Sequence, residues 1–351
     1  MTRALTAFLV VSCLAGALPA PAMADAPDSA DKANEKDKTD AVALLGRAAD
    51  AVRRVTYRGT IVYLRSGDVD TLQVVHRMHD GVEQERLVSQ SGEAREVIRK
   101  GDEVTSILPE HKVVLVSEHP PKTLLGSVAH FSPAQLKKYY DVSTDGTVRF
   151  AGRECRIISI KPEDGFRYGY RMFVDSKTDL PLKLALRYQG NRLEQLMFTD
   201  VAFPKSVSDD DFLPSYDVRG YKIIRHQSVH VSQKQAEKSA SPWEAKDLPP
   251  GFHLAEDGVR QLTADASVRQ MLFTDGVATV SAFIAPSGLR PPLKGATRMG
   301  AVNAYGNIVG NSQITVVGEV PSITAKRIAE NLIQAKSSQL SDDNKDSAPG
   351  G

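Results

Sequence analysis

Histidine and acidic side chains are the first residues to test for a metal site in this sequence. His76 and His79 are three residues apart in a stretch that alternates like a β-strand, so they face opposite sides of a sheet and cannot share a metal ion. The run Asp209–Asp211 is typical of a solvated linker. The remaining histidines of this half of the chain are scattered: His111, His119 and His130. We therefore predict no metal site.

The sequence also lacks the motifs that would indicate a catalytic nucleophile or a nucleotide cofactor. The sequence contains no GxSxG, GxxxxGK(S/T) or GxGxxG pattern, and Cys155 lies mid-strand between Arg153 and Arg156, where a small buried hydrophobe is favoured over a reactive thiol. His76 should face Glu85 across a hairpin, which allows either a general-base dyad or a cross-strand polar pair, and the second interpretation is favoured. We predict a protein that is not an enzyme and has no cofactor.

The first 24 residues read as a secretory signal peptide. Arg3 precedes an apolar stretch from Ala4 to Leu18, and Ala22-Met23-Ala24 predicts cleavage before Asp25. A lipoprotein site at Cys13 is the alternative, although the apolar run continues beyond it. Removal of Arg3 from the 44 basic residues leaves 43 against 43 acidic residues, which does not favour nucleic acid as a partner.

The rest of the chain divides by composition into two folded parts. Residues 25–40 lack large apolar side chains and residues 337–351 are similarly polar, so they are expected to be a disordered leader and a disordered tail. The folded parts span 41–212 and 241–336, and 213–240 is a linker that includes a short strand near Tyr221–Arg225.

The first folded part opens with a helix and continues as a meander of strands. Leu44, Leu45, Ala48 and Val52 recur at helical spacing after Thr39 or Asp40. From Tyr57 onward the apolar period drops to two, and the Asp80-Gly81 turn predicts a hairpin in which Val74 faces Leu87 and His76 faces Glu85. A second helix is predicted to begin at Ser132–Gln135 and to cover part of the sheet.

A second hairpin pairs Arg167–Val174 with Leu182–Tyr188 and divides its side chains between two faces. One face is apolar and carries Tyr168, Tyr170, Met172, Leu182, Leu184, Leu186 and Tyr188. The opposite face is basic and carries Arg167, Arg171, Lys183 and Arg187.

The second folded part has strands around an Asp275-Gly276 turn, at Met299–Val309 and at Gln313–Glu319. A terminal helix follows Pro321 and should pack on the sheet through Ile323, Ile328, Leu332 and Ile333.

Several strings in this order resemble the RseB/MucB family across nearly the whole mature chain. In the first part they are YRGTIVY (57–63), HR (76–77), ERL (85–87), GEAREVIR (92–99), FRYGY (166–170) and LEQ (193–195). In the second part they are Trp243, LPPGF (248–252), TDG (274–276), VVGEVP (316–321) and TAKRIAE (324–330). Ser106 stands where some relatives place a cysteine, which excludes a family disulfide with Cys155.

The resemblance implies an α+β fold in which an N-terminal half-open antiparallel barrel, similar to LolA and LolB and covered by helices, precedes a smaller C-terminal α/β domain. It also implies a periplasmic regulator that binds the periplasmic region of a membrane-bound anti-sigma factor and protects it from site-1 proteolysis, with relief by lipid or lipopolysaccharide. A lipoprotein or lipid carrier is the alternative, and a homo-oligomer is left open.

The same resemblance suggests site residues. The candidate lipid-cavity residues are Leu72, Val74, Leu87, Tyr168, Tyr170, Met172, Leu184 and Leu186. The candidates for a phosphorylated headgroup are Arg167, Arg171, Lys183 and Arg187. The candidate partner-binding residues are Trp243, Phe252 and Phe273. Ordinary core packing is the competing interpretation for the apolar members of these sets, and a solvated outer surface is the competing interpretation for the basic members.

Overall fold

The computed structural model describes residues 28–118, 136, 138–226, 242–263, 266–288 and 293–334. The predicted signal peptide (1–24), the C-terminal tail (337–351), the helix start at 132–135 and residues 227–240 of the predicted linker lie outside these ranges. Among the described helices, none is long and apolar enough to span a membrane.

The first helix, α1, spans Asp28–Arg54 and begins earlier than the sequence predicted. Residues 28–40 were expected to be a disordered leader, and this expectation is wrong because they continue the helix toward its N-terminus. The segment contains three Lys, two Ala and one Glu, which have high helix propensity and extend a helix that is already anchored. The anchor is the predicted stripe, since Leu44, Leu45, Ala48 and Val52 are all buried.

A sheet of 12 strands forms the N-terminal domain, and α1 packs against one of its faces. Its spatial order is β12-β6-β5-β4-β3-β2-β1-β11-β10-β9-β8-β7, so β12 and β7 are free edges and the sheet does not close. The half-open barrel predicted from the sequence is thereby confirmed. The strands are β1 (Tyr57–Arg65), β2 (Asp68–His79), β3 (Val82–Ser89), β4 (Glu96–Lys100), β5 (Glu103–Leu108), β6 (Val113–Glu118), β7 (Tyr140–Phe150), β8 (Arg153–Pro162), β9 (Gly169–Asp175), β10 (Pro181–Tyr188), β11 (Asn191–Ala202) and β12 (Lys222–His226).

Both predicted hairpins are present, and the first has the expected register. Val74 stands opposite Leu87 and His76 opposite Glu85 in the β2–β3 pair. In the β9–β10 pair Met172 stands opposite Leu184. A turn of fixed length sets the register, and period-two alternation then decides which side chains share a face.

The segment after β11 returns to the first sheet. Asp209–Phe212 forms a short 3-10 helix capped by Ser208. The short strand predicted near Tyr221–Arg225 is present as β12, and it pairs in parallel with β6. The N-terminal domain therefore extends into the region predicted to be linker.

The C-terminal domain has an antiparallel sheet of six strands in the order β14-β15-β16-β19-β18-β17, covered by helix α2 (Ser322–Glu330). This agrees with the predicted smaller domain with a terminal helix. The six strands and a separate two-stranded pair, β13 with β20, are β13 (Trp243–Ala245), β14 (His253–Thr263), β15 (Ala266–Thr274), β16 (Thr279–Pro286), β17 (Gly295–Met299), β18 (Val302–Val309), β19 (Ser312–Gly318) and β20 (Leu332–Gln334).

One detail of the terminal helix was predicted wrongly. Ala325, Ile328 and Ala329 are buried against the sheet, whereas Ile323 is 48% exposed. At 100° per residue, Ile323 points away from the face that Ala325 and Ile328 share. Leu332 and Ile333 were expected to extend the helix, but α2 ends at Glu330 and both residues lie in β20.

Candidate functional site

The apolar face of the first sheet lies against α1 and forms one continuous core. Of the candidate lipid-cavity residues, Leu72 and Leu87 are partly buried at its margin, and the others are buried within it: Val74, Tyr168, Tyr170, Met172, Leu184 and Leu186. The side chains of Met172, Leu184 and Leu186 have no exposed surface. The face is thus filled by its own side chains, and an acyl chain would have to displace some of them.

The candidate partner-binding aromatic residues do not form an exposed patch. Trp243, Phe252 and Phe273 are 7%, 6% and 0% exposed and belong to the core of the C-terminal domain. Trp243 lies on β13, which pairs with β20, and Phe273 lies on β15, between β14 and β16. Their role in this structure is to hold the domain together, so a direct contact with a partner would require them to move.

Three of the four candidate headgroup residues lie together on the outer face of β9 and β10. Arg171, Lys183 and Arg187 line a groove of about 150 Å³, together with Phe173, Ala185, Arg192 and Gln195. A larger groove of about 480 Å³ shares Arg171 and Arg187 with it, and its lining also includes Arg167 and the acidic Asp145 and Asp164. We call these two grooves, joined by Arg171 and Arg187, the cationic groove.

Positive charge in the cationic groove is only partly neutralised. The Nη2 of Arg171 lies 3.5 Å from Asp145, while its buried Nε has no hydrogen-bond partner among the described residues. Within the described part of the chain, Lys183, Arg187 and Arg192 form no ion pair. Burial, and then the neighbouring Arg192 and Arg171, lower the pKa of Lys183. An anion would relieve this repulsion, which is why the groove suits a phosphate or carboxylate.

Arg192 was not predicted as a site residue, although the sequence contains a signal for it. The Gly190-Asn191 turn joins β10 to β11 and places Arg192 directly opposite Arg187. The like charges at the two ends of this turn could have identified the pair.

The predicted position of Arg167 on the outer face is wrong. Arg167 precedes β9, and its side chain is fully buried between the two domains. Its Nε donates to Asp275 Oδ2 over 2.7 Å, its Nη1 donates to Asp164 and its Nη2 donates to the carbonyl of Pro250. Strand alternation did not apply to it because the loop before β9 turns the side chain toward the C-terminal domain.

Further polar contacts join the domains beside Arg167, and sequence reasoning missed them. Tyr168 lies with its hydroxyl 3.0 Å from the carbonyls of Ala301 and Val320, and it accepts a hydrogen bond from Asn303 Nδ2 over 2.9 Å. Glu194 accepts a hydrogen bond from the backbone N–H of Ala301 over 2.7 Å. Ala301, a residue of the C-terminal domain, is itself part of the N-terminal core.

The possible general-base pair does not form with Glu85. His76 is fully buried, its Nδ1 lies 2.8 Å from the carbonyl of Val55, and its ring stacks on Tyr57 at a centroid distance of 4.8 Å. Its Nε2 lies 3.5 Å from Glu83 without a hydrogen-bond partner among the described residues, and the proximity of His76 lowers the pKa of that carboxyl. This arrangement stabilises the sheet and lines neither groove.

Cys155 and the run Asp209–Asp211 make contacts that stabilise the fold. Cys155 is fully buried, and desolvation raises the pKa of its thiol to about 11, which suppresses the reactive thiolate. Asp209 pairs with Arg77, and Asp211 pairs with Arg58 over 3.0 Å. Across the described residues no group of three or more His, Cys, Asp or Glu side chains is arranged to hold a metal ion.

Both domains match known protein families. Residues 40–216 match the MucB/RseB N-terminal domain, and residues 237–333 match the MucB/RseB C-terminal domain. The sigma factor AlgU regulatory protein MucB of Pseudomonas aeruginosa is 32% identical over 307 residues, which cover 84% of this chain and 90% of that protein. The sigma-E factor regulatory protein RseB of Escherichia coli (strain K12) is 28% identical over 296 residues, covering 83% of this chain and 89% of that protein.

Solved structures give the same result. The chain is similar to one in the complex of Pseudomonas aeruginosa MucA and MucB, with a TM-score of 0.66, 29% identity and coverage of 84% of this chain and 99% of that chain. A second structure, of MucB in complex with MucA(peri), matches with a TM-score of 0.64, 27% identity and coverage of 85% and 99%. The two domain matches occur in the same order and together span most of the sequence, so the chain belongs to the MucB/RseB family.

Proposed function

We propose that this protein binds the periplasmic region of a membrane-bound anti-sigma factor, protects it from site-1 proteolysis and so keeps an envelope stress sigma factor inactive. The observation that carries the proposal is the similarity of the chain, over both domains, to MucB as solved in complex with MucA. That match covers 99% of each solved chain, so both domains of this chain have counterparts in those structures, which supports the proposal. The predicted signal peptide supports a periplasmic location.

A non-enzymatic mode of action agrees with the side chains. The one thiol of the predicted mature chain is buried with a raised pKa, and His76 is fully buried against Tyr57. Protection of a partner needs no chemistry, because a bound segment is simply inaccessible to a protease. A binding surface is sufficient for this function.

Lipid relief is the second part of the proposal. An acyl chain that entered the apolar face of β9 and β10 would replace core contacts of Met172, Leu184 and Leu186, so it would favour an altered packing of the N-terminal domain. Ligand binding shifts an equilibrium only by its differential affinity for the two states, and relief should therefore saturate with lipid. Arg171, Lys183 and Arg187 lie on the opposite face of the same strands. Together with Arg192 they would hold a phosphorylated headgroup only where the lipid passes around the rim of the half-open barrel, and they otherwise form a solvated outer surface.

A protection assay tests the proposed function. The mature protein is mixed with the periplasmic segment of the anti-sigma factor and the site-1 protease, and the rate of cleavage is followed as the protein is titrated. We expect the rate to fall and level off at a stoichiometric ratio. Unchanged cleavage at saturating protein would reject the proposal.

A further inference from the structure

The guanidinium of Arg167 connects the two domains at a point that solvent does not reach. It donates to Asp275 and to the carbonyl of Pro250, both in the C-terminal domain, and to Asp164 in its own domain. The side chains of Arg167 and Asp275 are both fully buried. In a site that excludes water, this pair constrains the relative position of the domains more than an exposed ion pair would.

Aromatic rings from both domains enclose the same guanidinium. The ring of Tyr139, from the N-terminal domain, lies 4.3 Å from the guanidinium carbon, and the ring of Phe252, from the C-terminal domain, lies 5.4 Å from it. Both distances are within the range of cation–π attraction. The aromatic surroundings of the Arg167 guanidinium are therefore complete only when the two domains are in contact.

The charged groups at this junction also have partners within their own domains. Asp275 Oδ1 accepts hydrogen bonds from the backbone N–H groups of Val277 and Ala278 over 2.9 and 2.7 Å. Asp164 can remain paired with Arg167. A buried charge left without any partner is costly, but separation of the domains would leave neither Arg167 nor Asp275 in that condition. Weakening the Arg167–Asp275 contact therefore leaves both charged groups with a partner in their own domain, while Tyr168 and Glu194 still contact Ala301 across the junction.

We propose that Arg167 is a positioning residue: its pair with Asp275 holds the two domains in the one arrangement that binds the partner. The claim that this arrangement binds the partner rests on the proposed function. When a protein samples several domain arrangements, its apparent affinity falls in proportion to the fraction that is competent to bind. The pair thus sets affinity without touching the partner.

The variant Asp275→Asn isolates this contact. The amide oxygen of Asn can still accept hydrogen bonds from Val277 and Ala278, whereas its NH2 group cannot accept one from Arg167. Arg167→Lys is a second variant, because it keeps the charge and loses the fork that reaches three partners. Both variants should loosen the junction and retain the two folded domains.

A matched control exists inside the N-terminal domain. Asp175 is also buried, at 1% exposure, pairs with Arg153 Nε over 2.6 Å and accepts a hydrogen bond from the N–H of Thr178 in the turn that follows. Asp175→Asn therefore removes an ion pair to a buried carboxylate beside a comparable turn, without touching the junction; the side chain of its partner Arg153 is 26% exposed. It reports what the loss of such a pair does to stability alone.

The experiment measures the distance between the domains and the affinity for the partner. Spin labels are attached to Val69→Cys and Ile323→Cys, which are exposed and lie in different domains, while Cys155 is buried and does not react. We expect one narrow distance distribution for the parent and for Asp175→Asn, and a broad distribution that extends to longer distances for Asp275→Asn and Arg167→Lys. Affinity for the anti-sigma periplasmic segment should fall about tenfold in the junction variants, relative to Asp175→Asn.

Two results would overturn the inference: a narrow distribution in both junction variants, or a broad distribution with unchanged affinity. Absence of binding by the parent protein would instead reject the proposed function, and with it the claim that Arg167 affects affinity for the anti-sigma segment. The distance distributions would still decide by themselves whether Arg167 fixes the domains.

Discussion

Arg187 on β10 and Arg192 on β11 stand directly opposite each other, so two guanidinium groups border the same small groove. Like charges at directly opposed positions destabilise a sheet by roughly 0.2–1 kcal/mol. Neither arginine has an ion-pair partner in the described part of the chain. A groove that retains this repulsion is suited to an anionic ligand that removes it.

The variant Arg192→Glu tests the cationic groove. It should stabilise the folded protein by roughly 0.2–1 kcal/mol in urea unfolding, because repulsion becomes attraction. It should also weaken the release of the partner segment by lipopolysaccharide. Arg219→Glu is the control, since Arg219 is 91% exposed and pairs only with the nearby Asp217. A loss of stability together with an unchanged lipopolysaccharide response would contradict this account of the groove.

Glu319 predicts a pH dependence of stability. Desolvation, with a smaller contribution from the Glu194 carboxylate, raises the pKa of Glu319 from an ordinary value of 4.5 to about 7. The folded protein thus holds this proton more tightly than the unfolded chain does. The resulting stability is fully present below about pH 4.5 and is lost as the pH rises through about 7.

Urea unfolding of the mature protein at pH 5 and pH 8 measures this effect, with Trp243, the one tryptophan of the sequence, as the reporter in the C-terminal domain. Glu319→Gln should reduce the difference in unfolding free energy between the two pH values by roughly 1–3 kcal/mol. The same pH dependence in the parent and the variant would exclude Glu319 as its source.

Gly251 permits the close approach of the two domains. Its φ is +83°, and a Cβ there would overlap the ring of Tyr139 and lie 2.8 Å from Nη2 of Arg167. Gly220 has a similar φ of +78° and open space around it. Alanine at either position should cost about 1–2 kcal/mol for the left-handed backbone, and Gly251→Ala should cost about 1–3 kcal/mol more for the overlap.

Chemical denaturation of the two glycine variants measures this difference directly. Equal losses of stability would show that position 251 tolerates a side chain, and that the close packing around Arg167 is unimportant for stability.

The local parts of the fold were predictable from the sequence, and the contacts between domains were not. The β2–β3 register follows from one turn and a period of two, and it placed Val74 opposite Leu87 correctly. The position of Arg167 depends on Asp275, 108 residues further along the chain, and no local pattern encodes that contact. The start of α1 at Asp28 is not encoded in apolar periodicity, because residues 28–40 contain no large apolar side chain that would mark a buried helix face.

Cys155 should be unreactive in the native protein. Its side chain is fully buried and the pKa of its thiol is raised to about 11, so little thiolate exists at pH 8. A thiol reagent that absorbs on reaction should label the mature protein only after denaturant is added. Rapid labelling of one thiol without denaturant would contradict the packing described for β8.

Direct binding of the mature protein to the periplasmic segment of the anti-sigma factor, measured by isothermal titration calorimetry, tests the central claim most closely. A saturable interaction with a defined stoichiometry is expected, together with a negative heat-capacity change from apolar surface buried on association. The affinity should weaken when lipopolysaccharide is present and reach a plateau at high lipid. Absence of binding heat across a range of temperatures, with both components folded and lipid-free, would contradict the account.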